Sequence, residues 1–130
     1  IMSDESCGDH HDAERLIELK ACDLFNIKLG KSGGIYNALK IARLAEAADI
    51  EMQVGAMLES RLGMTAFAHF ALSSPLIRHF DFDTALMFRD DPVSGGIIYE
   101  KNGVIKMPKA NGIGATIDES WLRKMEKVVL

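Results

Sequence analysis

Short apolar runs alternate with helix-period stripes along residues 1–82 of this chain, and no other feature constrains its fold as tightly. Leu24-Phe25-Asn26-Ile27-Lys28-Leu29, residues 52–56 and residues 77–82 read as strands bounded by turn residues. Ala13, Leu16, Ile17 and Lys20 fall on one helical stripe, with Leu19 beside it. A second stripe, over 34–48, carries Ile35, Ala38, Leu39, Ala42 and Ala45; a third, over 61–72, carries Met64, Phe67, Ala68 and Ala71. Asp9 or Asp12 suits the cap of the first helix, and Pro75 lies just past the third. Ile1-Met2 reads as the last part of a strand whose beginning is absent. The order is therefore β-α-β-α-β-α-β, the alternation of a parallel α/β fold.

From Met87 the pattern changes. Asp91-Pro92 and Ser94-Gly95-Gly96 punctuate the chain, and Asn102-Gly103 lies between Ile97-Ile98-Tyr99 and residues 104–107, a hairpin signal. Gly112-Ile113-Gly114 forms another loop. Asp118 or Ser120 starts a last helix through Trp121, Leu122, Met125, Val128 and Val129. The expected division is an α/β unit over 1–90 and an antiparallel appendage with a final helix over 91–130.

Period two sorts each strand into faces. Phe25, Ile27 and Leu29 form a wholly apolar face, while Leu24, Asn26 and Lys28 form one that turns polar toward the strand's C-terminal end. Burying an unpaired ammonium is costly, so Lys28 needs a reason to be there. Met52, Val54 and Ala56 oppose Glu51, Gln53 and Gly55; Phe80 and Phe82 oppose His79, Asp81 and Asp83. Charged groups thus gather at strand tips: Asp4, Lys28, and Asp81 with Asp83. In β/α barrels that end carries the chemistry. Each group also has a simpler explanation. Asp4 with Glu5 and Ser6 suits a solvated turn or helix cap, Lys28 a lysine snorkelling to water, and Asp81-Phe82-Asp83 an exposed turn. His10 and His11 are adjacent and share no helical face, His69 reads as a packed helix residue, and Gly33-Gly34 and Gly95-Gly96 read as turns rather than a phosphate loop.

Net charge is −4 and is spread along the chain, with no basic patch interleaved with aromatics, so nucleic acid is not an expected partner. No apolar run has membrane-spanning length, and the first residues lack the basic and apolar regions of a signal peptide. Cys7 and Cys22 make neither a disulfide framework nor a metal spacing. The expected compartment is the cytoplasm.

Asp4-Glu5-Ser6, Asn26-Ile27-Lys28-Leu29 with Lys31-Ser32-Gly33-Gly34, and Met57-Leu58-Glu59-Ser60 together resemble the enolase superfamily, muconate-lactonizing-enzyme subgroup. Asp81-Phe82-Asp83 is similar to its dipeptide epimerases, of the L-Ala-D/L-Glu type. The resemblance implies the C-terminal part of a (β/α)7β TIM-type barrel, strands 5–8, with a C-terminal hairpin and helix. It implies a magnesium-dependent isomerase that epimerises dipeptides by 1,1-proton transfer through an enediolate. Asp4 would be a Mg2+ ligand and Lys28 an acid/base lysine of depressed pKa. Asp81 and Asp83 would hold the substrate's α-ammonium group, and Met57 would line its side-chain pocket; Glu59 receives no chemical role. A capping domain, the first four barrel strands, a second catalytic lysine and two further metal ligands have no counterpart here. The chain is therefore expected to be a fragment or one partner of a complementing pair, inactive alone, with a homo-oligomer of the full enzyme also allowed. N-succinylamino acid racemase, o-succinylbenzoate synthase and muconate cycloisomerase share the lysine and metal scaffold, but the Asp-x-Asp pair favours a substrate with a free ammonium. A half barrel without catalysis that binds a partner chain is the rival from another class.

Overall fold

The computed structural model describes residues 1–127; Val128 and Val129, expected in the last helix, lie outside the described residues. Strands β1 (Met2–Ser3), β2 (Leu24–Ile27), β3 (Glu51–Val54) and β4 (Ile77–Phe80) alternate with helices α1 (His10–Glu18), α2 (Ile35–Ala47) and α3 (Arg61–Ala71). The strands form one parallel sheet in the order β1-β2-β3-β4. Sequential parallel strands joined by right-handed crossovers put the connecting helices on one side. Phe25, Ile27, Met52, Val54 and Ile77 are buried on that side with Ala38, Ile41 and Ala45 of α2 and Met64 and Phe67 of α3.

The sequence anticipates most of this layer. Asp9 caps α1 by accepting the backbone N–H groups of His11 and Asp12. Ile35, expected on the inner stripe of α2, is 43% exposed because it is the helix's first residue; Ile41 is buried with Ala38, Ala42 and Ala45 instead. In β4 the partner of Met52 is Ile77, but the partner of Gln53 is His79, so Arg78 is an extra, bulged residue. The bulge aligns His79 with Gln53 and Phe80 with Val54.

The opposite face of the sheet carries Asn26, Gln53 and His79. Asn26 is only 7% exposed because its side chain lies over Gly55. A Cβ at Gly55 would overlap the Asn26 carboxamide, so close approach rather than backbone conformation requires glycine there.

Residues after β4 return over α3. Strand β5 (Val93–Gly95) pairs antiparallel with β8 (Ala115–Ile117), a pairing the sequence did not suggest, and β6 (Ile98–Tyr99) pairs with β7 (Ile105–Lys106), as the hairpin signal predicts. The hairpin loop bends through Asn102 and Gly103, both at positive φ (62° and 75°). The Arg61 guanidinium binds the Asp91 carboxylate and the carbonyls of Val93 and Gly95. Thr65 accepts the Ile97 N–H at 3.0 Å and donates to the Arg61 carbonyl at 2.7 Å. This strap explains why Thr65, off the expected stripe, is buried as well; Phe70, also off that stripe, is buried on another side of the helix. Helix α4 (Glu119–Leu122), capped by Asp118, stops before Met125, shorter than expected. Leu122 and Met125 remain about half exposed, and a single turn without a buried face has little to extend it. Among the described residues no helix is long and apolar enough to cross a membrane.

Candidate active site

The four parallel strands end at one rim. Asp4 directly follows β1, Lys28 follows β2, and Asp81 follows β4, while Met57 lies in the loop after β3. Asp83 precedes a 3-10 turn, Thr84–Met87. The rim is tied to the strap by the Tyr99 hydroxyl, which donates to the Phe82 carbonyl at 2.7 Å.

Asp4 and Lys28 meet. The Lys28 Nζ donates to Asp4 Oδ2 at 2.9 Å and to Glu5 Oε1 at 3.1 Å. Lys31 Nζ donates to Asp4 Oδ1 at 3.0 Å, to the Asn26 carbonyl at 2.9 Å, and to the Asp4 carbonyl. Both lysine side chains are nearly buried, 11% and 12% exposed, so their charges need these carboxylates. Burial pushes the Asp4 carboxyl up, but hydrogen bonds from Lys28 and Lys31 outweigh it and hold the group below its ordinary value. Lys28 shifts in the direction opposite to that expected for a base. Its hydrogen bond to Asp4 raises its pKa, burial opposes this, and Glu5 adds to the rise. In this arrangement the contacts with Asp4 and Glu5 favour the ammonium form of Lys28.

Asp81 and Asp83 also come together. Burial raises the Asp81 pKa, and the hydrogen-bonded Asp83 carboxyl raises it further. Lys28 is near enough to oppose that rise electrostatically. Met57 stands 54% exposed on the rim. Glu59, to which sequence reasoning gave no role, has its pKa raised by burial, with Oε1 beside Gly30 and Oε2 buried without a partner among the described residues. Asn26 Oδ1 and Ser32 Oγ are likewise unpartnered. Ser32 lies in the loop that bears Lys28 and Lys31, Asn26 just before it, and Glu59 beside its Gly30.

Among the described residues no three His, Cys, Asp or Glu side chains converge to hold a metal ion. Asp4 nevertheless suits a hard cation. Its carboxylate supplies oxygen donors, it is partly open to solvent, and an ammonium already stands against each oxygen where cationic charge is wanted. One carboxylate is only part of the octahedral set that magnesium demands.

The family described as Enolase C-terminal domain-like matches residues 1–121. The chain belongs to this family. Its sheet and helices are therefore part of an enolase-type TIM barrel, and the polar rim lies at the C-terminal end of its parallel strands. A D-Ala-D/L-Ala epimerase of Cytophaga hutchinsonii is 55% identical over 130 residues, all of this chain and 35% of that protein. An L-Ala-D/L-Glu epimerase of Bacillus subtilis is 46% identical over 114 residues, 88% of this chain and 31% of that protein. A crystal structure of the Cytophaga hutchinsonii dipeptide epimerase, complexed with Mg and the dipeptide D-Ala-L-Val, superposes with a TM-score of 0.95 at 56% identity, covering 98% of this chain and 35% of that one. This enolase-type chain thus spans about a third of the length of the curated relatives it matches.

Sequence reasoning missed Lys31 and Glu5 as partners in the site. The Lys-x-x-Lys spacing in a glycine-flanked turn was visible, but not that Lys31 folds back 27 residues to Asp4.

Proposed function

We propose that this enolase-type chain supplies one catalytic lysine, one magnesium ligand and the ammonium-binding acids of a dipeptide epimerase. The observation that carries this reading is the arrangement around Lys28: a buried ammonium at a strand tip, a hard-oxygen carboxylate on one side, and Asp81, itself beside Asp83, within electrostatic reach. The named activities of the relatives support it. Lys28 Nζ exchanges the proton on the substrate's α-carbon, and a second acid/base group on the opposite face comes from outside these residues. As the ammonium seen here, Lys28 is the form that returns a proton. Its base form requires Asp4's negative charge to be engaged elsewhere. Magnesium, when bound, supplies positive charge to the substrate carboxylate. Asp81 and Asp83 orient the dipeptide by charge-assisted hydrogen bonds to its free α-ammonium, a group that N-succinylated amino acids lack. Met57 borders the side-chain pocket. Dipeptides of the L-Ala-D/L-Glu type are the proposed substrates.

The test uses the intact protein in D2O with magnesium, L-Ala-L-Glu, D-Ala-L-Ala and an N-succinylamino acid. Proton NMR should show loss of the α-proton signal and growth of the second diastereomer for the dipeptides. Lys28→Ala should abolish epimerisation with the fold retained, while Asp81→Ala or Asp83→Ala should act chiefly by raising KM for dipeptides. Turnover by Lys28→Ala in both directions, or preferential use of the N-succinylamino acid, would refute the proposal.

A further inference from the structure

The two lysines bound to Asp4 are held differently. An ammonium has three donors, and those of Lys31 have three acceptors: Asp4 Oδ1, the Asp4 carbonyl and the Asn26 carbonyl. Two of these are backbone oxygens, one on each of two adjacent strand ends, so Lys31 is fixed by the scaffold. Lys28 instead contacts two carboxylates, and one of them, on Glu5, is 73% exposed. Lys31 binds Oδ1 of Asp4, and Lys28 binds Oδ2.

Resting on the magnesium-dependent reading above, we infer that Lys31 is a positioning residue: it anchors Asp4 through Oδ1, leaving Oδ2 as the oxygen for which the Lys28 ammonium and a hard divalent cation compete. Entry of the cation at Oδ2 displaces Lys28 from its carboxylate, while Lys31 keeps the Asp4 side chain aimed at the rim.

Charge alone predicts the opposite effect for Lys31. Removing a cation beside a metal ligand strengthens Coulombic attraction for the metal. Loss of an anchor weakens metal binding, and groups that orient a metal ligand typically contribute about 10–100-fold in affinity. The sign of the change therefore separates the two roles.

The experiment measures Mg2+ affinity of the intact protein by titration calorimetry, without substrate. Lys31→Met should bind Mg2+ about tenfold or more weakly, and Lys28→Met, freed of the competitor, should bind more tightly than the unmodified protein. Affinity that is unchanged or higher in Lys31→Met, or unchanged or lower in Lys28→Met, overturns the inference. Should Lys31→Met fail to fold, Lys31→Arg decides, because it keeps the charge but its planar fork cannot make three converging bonds. Weaker Mg2+ binding by Lys31→Arg supports anchoring, and equal binding overturns it. If the unmodified protein binds no Mg2+ at all, the magnesium-dependent reading itself fails; if it binds Mg2+ and the variants disobey these signs, only the role of Lys31 does.

Discussion

Burial and the neighbouring Asp83 carboxyl both favour the protonated form of Asp81. The folded chain therefore holds a proton there more tightly than the unfolded chain. Stability from this linkage is fully present below the ordinary carboxylate pKa and is lost as pH rises through the raised value. Asp81→Asn, nearly isosteric and uncharged, should raise the Tm at neutral pH by a few degrees and flatten its decline from acid to neutral pH, while impairing dipeptide binding. Thermal unfolding across that pH range checks it; an unchanged or lower Tm at neutral pH would count against it. The lysine at 28 stood out in sequence because it follows an apolar run at the end of β2, and the acids at 81 and 83 because they alternate with Phe80 and Phe82 just past β4. Glu5, Lys31 and the unpartnered Glu59 oxygen were not, because their roles depend on neighbours from other strands. The raised pKa of Lys28 was illegible for the same reason: desolvation can be guessed from a buried pattern, but two converging carboxylates cannot.

Helix α3 is buried on two sides, against the sheet and under the returning strap. Thr65 lies at that second contact. Thr65→Val keeps the volume but leaves the buried Ile97 N–H without its acceptor, a loss of about 1–3 kcal/mol. Chemical denaturation should show that loss, and hydrogen exchange should speed up at the Ile97 amide; unaltered exchange there would mean the hydroxyl contributes nothing to the strap. The inward stripes of α2 and α3 and the faces of β2 and β3 could be read from sequence because period and polarity agree within each segment. The strap escaped notice because β5 and β8 are too short to show a period and pair across some twenty residues of turn and hairpin. The last helix ends sooner than its spacing suggests because Leu122 and Met125, on the helical pattern with Trp121, stay about half exposed.

At the scale of the molecule, among the described residues β1 and β4 are sheet edges and helices cover one face of the sheet. Leu72, Phe80, Leu86 and Met87 are exposed around it. Unpaired parallel edges with nearby apolar surface favour association. The 130-residue chain expressed alone should self-associate in a concentration-dependent way. Sedimentation velocity over a range of concentrations checks this; a monomer throughout would show that the edges are protected.

Strand β2 interleaves two messages in one stretch of sequence. Phe25, Ile27 and Leu29 hold the helices to the sheet, while Asn26 and Lys28 between them face the rim. Deleting one residue from the start of β2 would exchange the two sets at a stroke, turning the lysine into the core and the aromatic ring toward the polar rim. The strand therefore tolerates substitution at either set of positions far better than any change in its length.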